Sequence, residues 1–375
     1  MPIHFYSFNM KILFLIDNLG SGGAQRQVVT LSHYLTDRGH KVSVLTYAEG
    51  DFFESKVRGN GVRLIKLSTT NHLKRICAVR KAIHQGGYDA VISFLDTPNF
   101  LNNISAISRH RKWKVITSER SNKEAMLHSR KGRICGWFQR YSDALVCNSH
   151  NAEAMWLRHY PQYKDKMHTI YNAVQVTQGD TQYIPKRNGQ LHLVIAASYQ
   201  YLKNPIGLIR AVALMDPSSQ ERLRVDWYGQ SYVSNLEKDL AYQETLSLIH
   251  VHKLSNIIHL HEPTKEINCK MKEADFVGLF SQLEGLPNTI CEGMMLGKPV
   301  IMSRVSDYNV LVDERNGFLC DWDNEQSIKE ALEKALQLTT DEIFDMGANS
   351  YAKAQKLFDP SRVTRQWQQL IESLS

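Results

Sequence analysis

Short apolar runs alternate with helical stretches along this chain, and near residue 191 the alternation begins again. No other feature constrains the fold as tightly. Lys11 to Asp17 (KILFLID) has the continuous apolar character of a strand buried on both faces. It runs into Asn18-Leu19-Gly20-Ser21-Gly22-Gly23, then into Ala24 to Thr36, where Val28, Leu31 and Leu35 share a helical face. Gly39 closes that helix and Lys41–Tyr47 is the next strand. Further strands are expected at Arg63–Leu67, Ala90–Phe94, Val115–Thr117 and Ala144–Cys147. A polar stretch from Thr177 to Gln190 suits a linker. Strands are then expected at Leu191–Ala197, Leu223–Tyr228, Ile257–Leu260, Phe276–Phe280 and Pro299–Ser303. Helices are expected at Pro205–Leu214, Ser327–Leu338, Asp341–Leu357 and Ser361–Leu374.

Strand–helix–strand units of this kind build doubly wound parallel sheets. At 375 residues the chain is too long for one ordinary core. The expectation is an α/β protein with domains over 10–180 and 190–358, and a helix over 359–375 packing back toward the first. Two such halves imply a cleft, and clefts bind ligands.

The six cysteines contain no C-x-x-C pair, so neither a disulfide framework nor a zinc site is expected from them. No apolar run approaches the roughly 18 residues that span a bilayer. Residues 1–9 (MPIHFYSFN) lack the features of a secretory signal and read as a short extension, which makes a cytoplasmic location the expectation.

The net charge of +7 is unevenly spread. Residues 1–180 carry 25 Lys and Arg against 13 Asp and Glu, while 181–375 carry 20 against 25. A basic first half suggests an anionic partner. Arg109, Arg111, Lys112, Lys114, Lys123, Arg130, Lys131, Arg133 and Arg140 crowd one region, with Trp113, Trp137 and Phe138 among them. Such a surface suits an anionic membrane or a diphosphate. A solvated cationic face is the plainer alternative. No nucleic-acid-binding motif accompanies the charge, so no nucleic acid is expected.

Two places carry candidate chemistry. Gly20, Gly22 and Gly23 lie between a strand and a helix start, where backbone N–H groups can approach phosphate or sugar oxygens. A tight turn needing positive φ is the alternative. The second place is Glu284-Gly285-Leu286-Pro287-Asn288-Thr289-Ile290-Cys291-Glu292. Pro287 breaks any helix, Asn288 can cap Thr289 to Leu296, and Gly297 can end it. Glu284 then stands at a strand end and Glu292 one turn into the following helix. The N–H groups at Leu286 through Thr289 would seat a diphosphate, Glu292 could accept from ribose hydroxyls, and Glu284 could hold a sugar hydroxyl. A solvated Glu292 and a loop-capping Glu284 remain alternatives.

The segment EGLPNTICEGMMLGKPVI resembles the E-x7-E region of retaining glycosyltransferases of the GT-B fold, family 4. KILFLIDNLGSGGAQRQVVTLSHYL is similar to the opening of that family, and YLKNPIGLIRAV, ADFVGLFSQLEGLP and NGFLC, expected as a turn near Gly317, follow in its order. The resemblance implies two Rossmann-like domains facing a cleft and a nucleotide-sugar in the second. It implies that Glu292 takes the ribose and that Glu284 takes the sugar near the reaction centre. Leu286, Pro287 and Asn288 would touch sugar or phosphate, Lys203 would neutralise the leaving diphosphate, and Gly22 and Gly23 would close on it. No metal or other cofactor is implied.

Two departures stand out. Ser198 occupies the position of the family's usual arginine, five before Lys203. Where the family often has histidine, Ser118-Glu119-Arg120-Ser121-Asn122 stands, and Arg120 is expected to supply the missing charge; an exposed loop arginine is the alternative. Asp96 is expected to orient an acceptor hydroxyl, with a capping role as the alternative. SFLDTPN and SERSN resemble members that extend polyprenyl-diphosphate-linked glycans, which implies a lipid-linked acceptor in bacterial surface polysaccharide synthesis, such as O-antigen or capsule. The enzyme would then work peripherally on the inner face of the plasma membrane. Rival readings are a GT-B-like UDP-sugar 2-epimerase and a non-catalytic nucleotide-sugar-binding partner. Asp321-Trp322-Asp323 spells D-x-D, but its place suits a turn and cap rather than a metal.

Overall fold

The computed structural model describes residues 9–20, 22–69, 71–108, 110–120, 124–176, 189–231 and 240–374. Ser21, Arg109, Ser121, Asn122 and Lys123, most of the expected N-terminal extension, and the linker over 177–188 lie outside the described residues. The chain divides into two compact units: Met1–Ala173 with Asp359–Ser375, and Val174–Phe358.

The first unit is built on seven parallel strands: β1 (Lys11–Leu15), β2 (Lys41–Thr46), β3 (Arg63–Lys66), β4 (Ala90–Phe94), β5 (Lys114–Glu119), β6 (Ala144–Cys147) and β7 (Met167–Thr169). Their order is β3-β2-β1-β4-β5-β6-β7. β1 shows why the run is apolar throughout. Ile12 and Phe14 join one core and Leu13 and Leu15 another, so both faces are covered. The helix Pro360–Ser373 returns to this unit and buries Val363, Trp367, Leu370 and Ile371 in the core of Ile12 and Phe14. Asp359 caps it, accepting from the Arg362 amide at 2.8 Å. Trp367 stacks on Phe94 with centroids 5.9 Å apart.

The second unit holds β8 (Leu191–Ala196), β9 (Leu223–Tyr228), β10 (Ile258–His261), β11 (Phe276–Leu279), β12 (Val300–Ser303) and β13 (Gly317–Cys320), all parallel, in the order β10-β9-β8-β11-β12-β13. The Gly317 segment is therefore an edge strand and not the expected turn. A Cβ at Gly317 would lie 2.2 Å from the Val300 carbonyl, so glycine is what lets β13 close on β12. In each sheet the order reverses once, between β1 and β4 and between β8 and β11. Sheets of this kind bind ligands beyond the strand carboxyl ends at that reversal.

Candidate active site

The reversal in the second sheet collects Lys203, Glu284 and Glu292. Glu284 lies just beyond β11, and Lys203 ends a single 3₁₀ turn, Tyr201–Lys203, beyond β8. Lys203 Nζ donates to Glu284 Oε1 at 2.6 Å, with both side chains largely covered. Ser281 Oγ donates to the same oxygen at 2.7 Å, and Ser303 Oγ fixes the Ser281 carbonyl at 2.6 Å. Ser306, at φ +55°, donates to the Gly285 carbonyl. The acid is thus held from β11, β12 and the loop between them.

The helix starts one residue earlier than expected, spanning Asn288–Met295 with Pro287 at its cap and Gly297 beyond its end at φ +71°. Asn288 is therefore the first helical residue and not the cap. Pro287 makes no side-chain bond to this start. Thr289 Oγ1 donates to the Ala196 carbonyl at 2.7 Å, which ties the helix start to the end of β8. Glu292 stands one turn in and is half-buried, and Leu286 is buried.

Asn204 explains why Lys203 is followed by asparagine. It sits in the left-handed region (φ +59°), tolerated by Asn, and its side chain accepts from the Gly207 amide at 3.2 Å. Its amide donates to the Trp322 carbonyl at 2.7 Å. The D-x-D segment is thereby a prop for this turn. Asp321 pairs with Arg304 at 2.9 Å, and Asn324 caps the next helix. Ser198 lies in the loop after β8, its carbonyl accepting from the Gln200 amide at 2.9 Å.

Sequence reasoning missed Ser281, Ser303, Ser306 and Gly229. Gly229 follows β9, where a Cβ would lie 1.9 Å from the Ala197 carbonyl and 3.1 Å from Ser198 Cα. Gly229→Ala is expected to push the β8 loop aside and cost about 1–3 kcal/mol. Chemical denaturation checks it, and an unchanged midpoint would show that the loop is free to move.

In the first unit, the described glycines of the loop after β1 do not lie at positive φ, which removes the tight-turn alternative. Gly22 is extended (φ −75°, ψ 162°) and caps the helix Gly23–Asp37 without a side-chain bond. Asp17 and Asn18 brace the loop: the Asn18 side chain accepts from the Gly20 amide at 2.9 Å. Beyond β4, Leu95 holds φ +79°, ψ 160°, a corner that residues with a Cβ rarely adopt. It places Asp96 first in the helix Asp96–Ser105.

Arg120 is not an exposed loop residue. Its guanidinium lies over Phe94 at 4.4 Å and Trp367 at 5.8 Å, and Nη1 donates to Asn172 Oδ1 at 2.7 Å. Nε and Nη2 are buried without a hydrogen-bond partner among the described residues. Burial pushes its pKa down to about 9. Beside it Glu119, unanticipated from the sequence, ends β5. Its Oε1 accepts from Asn99 Nδ2 at 2.9 Å and Gln139 Nε2 at 3.3 Å. Burial, aided by the charge of Asp96, pushes its pKa up to about 8.

The basic region is smaller than its composition suggests. Trp113 is a core residue, 6% exposed, and Arg111 is paired with Asp143 at 2.7 Å. The helix Arg130–Phe138 keeps Arg130, Lys131, Arg133, Ile134 and Trp137 exposed, and Arg140 lies over Trp137 at 3.9 Å. Among the described residues no helix is long and apolar enough to cross a membrane.

Two sheets of this order, each with flanking helices, fit the two-domain GT-B fold. Comparison with known proteins agrees. Residues 21–178 match the family Glycosyltransferase Family 4, and residues 190–338 match Glycosyl transferases group 1. A Campylobacter jejuni enzyme, GalNAc-alpha-(1->4)-GalNAc-alpha-(1->3)-diNAcBac-PP-undecaprenol alpha-1,4-N-acetyl-D-galactosaminyltransferase, is 28% identical over 96% of this chain and 98% of its own. The Anabaena protein Alr3699/HepE, crystallised with UDP and glucose, superposes with a TM-score of 0.81 at 19% identity, over 97% of this chain and all of that one. A Rickettsia africae glycosyltransferase gives 0.80 at 15% identity, over 98% and 99%. The chain is a glycosyltransferase of the GT-B fold, and it belongs with the family 4-like members of that class.

Proposed function

We propose that this enzyme moves a hexose or N-acetylhexosamine, with retention, from a nucleotide-sugar, with UDP as the nucleotide, to a polyprenyl-diphosphate-linked glycan in bacterial surface polysaccharide synthesis. The observation that carries the reading is the Lys203–Glu284 pair at 2.6 Å, beside the start of the helix Asn288–Met295 at the sheet reversal. Without substrate the two side chains neutralise each other. With substrate, Lys203 and the helix amides meet the departing diphosphate, and Glu284 takes a sugar hydroxyl. Stabilising that growing charge is the main catalytic task, and a cation with a helix terminus can do it without a metal. Glu292 accepts from the ribose hydroxyls. Pro287, Asn288 and Thr289 shape the seat, and Ser198 leaves room where a second cation would stand.

The first unit takes the acceptor in this reading. Asp96 orients the attacking hydroxyl, and Arg120 has two buried donors left for an anionic group; Gly22 and Gly23 offer uncapped amides to phosphate. Both comparisons support the substrate class: the C. jejuni relative is named for an undecaprenyl-diphosphate-linked glycan, and the Anabaena protein was crystallised with UDP. A screen of nucleotide-sugars, read by released UDP or GDP with and without lipid-linked acceptor, tests the reading. Release from one UDP-sugar, accelerated by acceptor, is the expected result. Turnover of none would end it.

The same reading puts the enzyme on the inner face of the plasma membrane through the helix Arg130–Phe138. Ile134 and Trp137, 54% and 45% exposed, would enter the interface while the arginines meet anionic headgroups. Flotation with anionic vesicles at low salt is expected for the native chain and lost in the double variant Ile134→Glu, Trp137→Glu. Equal flotation of both would remove this surface from the account.

A further inference from the structure

Apart from the residues assigned to transfer, the first unit carries a group of metal-ligating side chains. Glu124 and His128 stand four residues apart on the helix Glu124–His128, and His159 ends the helix His150–His159. One ligand atom of each lies within 4.8 Å of the others, and this is the one such group of three or more His, Cys, Asp or Glu among the described residues. Glu124 Oε1 and His159 Nε2 are 3.0 Å apart, and the rings of His128 and His159 meet edge to face at 4.8 Å.

We propose that Glu124, His128 and His159 bind one divalent transition-metal ion, with Zn²⁺ the best match. Two imidazoles and a carboxylate are a set that zinc takes as three protein ligands, leaving a fourth position for water. Hard cations such as Mg²⁺ prefer all-oxygen shells and are disfavoured here. A tetrahedral ion with bonds of about 2.0–2.1 Å needs ligand atoms about 3.3 Å apart. The Glu124–His159 pair, at 3.0 Å, is close to that spacing, and the ligand atom of His128, on the surface, lies within 4.8 Å of both. Arg158 also touches Glu124, at 3.4 Å, but both side chains are largely exposed and the contact is weak enough to yield. His128 and His159 line a hollow of about 420 Å³, which gives an ion a way in. The ion ties the segment after β5 to the helix after β6. It is a staple of the first unit and takes no part in sugar transfer by Lys203 and Glu284.

Calorimetric titration of Zn²⁺ into the full chain, stripped with chelator, tests this, with thermal unfolding alongside. One ion per chain and a raised Tm are expected. His128→Ala, His159→Ala and Glu124→Gln should each weaken binding by more than about 100-fold, the upper end of what outer-shell changes cost. His252→Ala, at an exposed histidine elsewhere, should change nothing. Co²⁺ should give a four-coordinate visible spectrum in the native chain that His159→Ala abolishes. The variants and the native chain should unfold together in chelator, which separates lost ligation from lost folding. Zinc affinity unaltered by His159→Ala, or binding by Mg²⁺ in place of Zn²⁺, would overturn the assignment.

Discussion

Lys203→Ala is expected to lower kcat by about 10²–10³, the usual effect of removing one preorganised group from a developing charge. The pair geometry gives the reason. Lys203 Nζ lies 2.6 Å from Glu284 Oε1, and in the proposed reading that is where the sugar and the diphosphate meet the strand end. Its interaction strengthens as the bond to the diphosphate breaks, so the loss should fall mainly on kcat and little on KM. Ser281 still bonds Glu284 at 2.7 Å in the variant, which keeps the carboxylate partly satisfied and the unit folded. Steady-state release of nucleoside diphosphate measures the effect. A kcat near that of the native enzyme would mean that the lysine serves only the resting ion pair.

The second large effect concerns Glu119 and pH. Its native pKa lies at about 8, above the ordinary 4.5, chiefly through burial and then through the charge of Asp96. Between these two values the folded chain keeps a proton that the unfolded chain has lost. Native stability therefore falls as pH rises from about 4.5 to about 8, by an amount on the order of 3–5 kcal/mol for a shift of this size. Glu119→Gln has no proton to lose, and its carbonyl can still accept from Asn99 and Gln139. The variant should match the native protein near pH 4.5 and exceed it by a few kcal/mol above pH 8. Denaturant unfolding across that window checks the sign. Parallel stability curves would show that Glu119 is ionised in the native state.

The architecture was legible because parallel strands buried on both faces leave continuous apolar runs, as Ile12 to Leu15 and Leu193 to Ile195 do. β7 was not, because Met167–Thr169 is too short for any period to register, and β13 was not, because Asn316-Gly317 at its start reads as a turn. The spacing of Glu284, Pro287 and Glu292 put one acid at a strand end and the other a turn into a helix, and they stand so. The support of that site was hidden. Ser281 and Ser306 look like ordinary loop serines, and Ser303 like a plain strand end, until β12 is paired with β11. The environment of Arg120 was equally unreadable, because Trp367, which covers it, arrives 247 residues later on the returning helix. Trp113 misled for a related reason: lysines and arginines crowd around it in sequence, yet its ring packs inward beside Val115 and Ile83.

The central claim is that the second unit grips a nucleotide-sugar through Glu292 on the ribose and the Lys203–Glu284 pair on the diphosphate and sugar. Titration of UDP into the native chain and into Glu292→Ala tests it most directly. Losing hydrogen bonds from a charged acceptor to both ribose hydroxyls should weaken binding about 10–100-fold, while the fold stays intact. UDP binding the two proteins equally well would contradict the account.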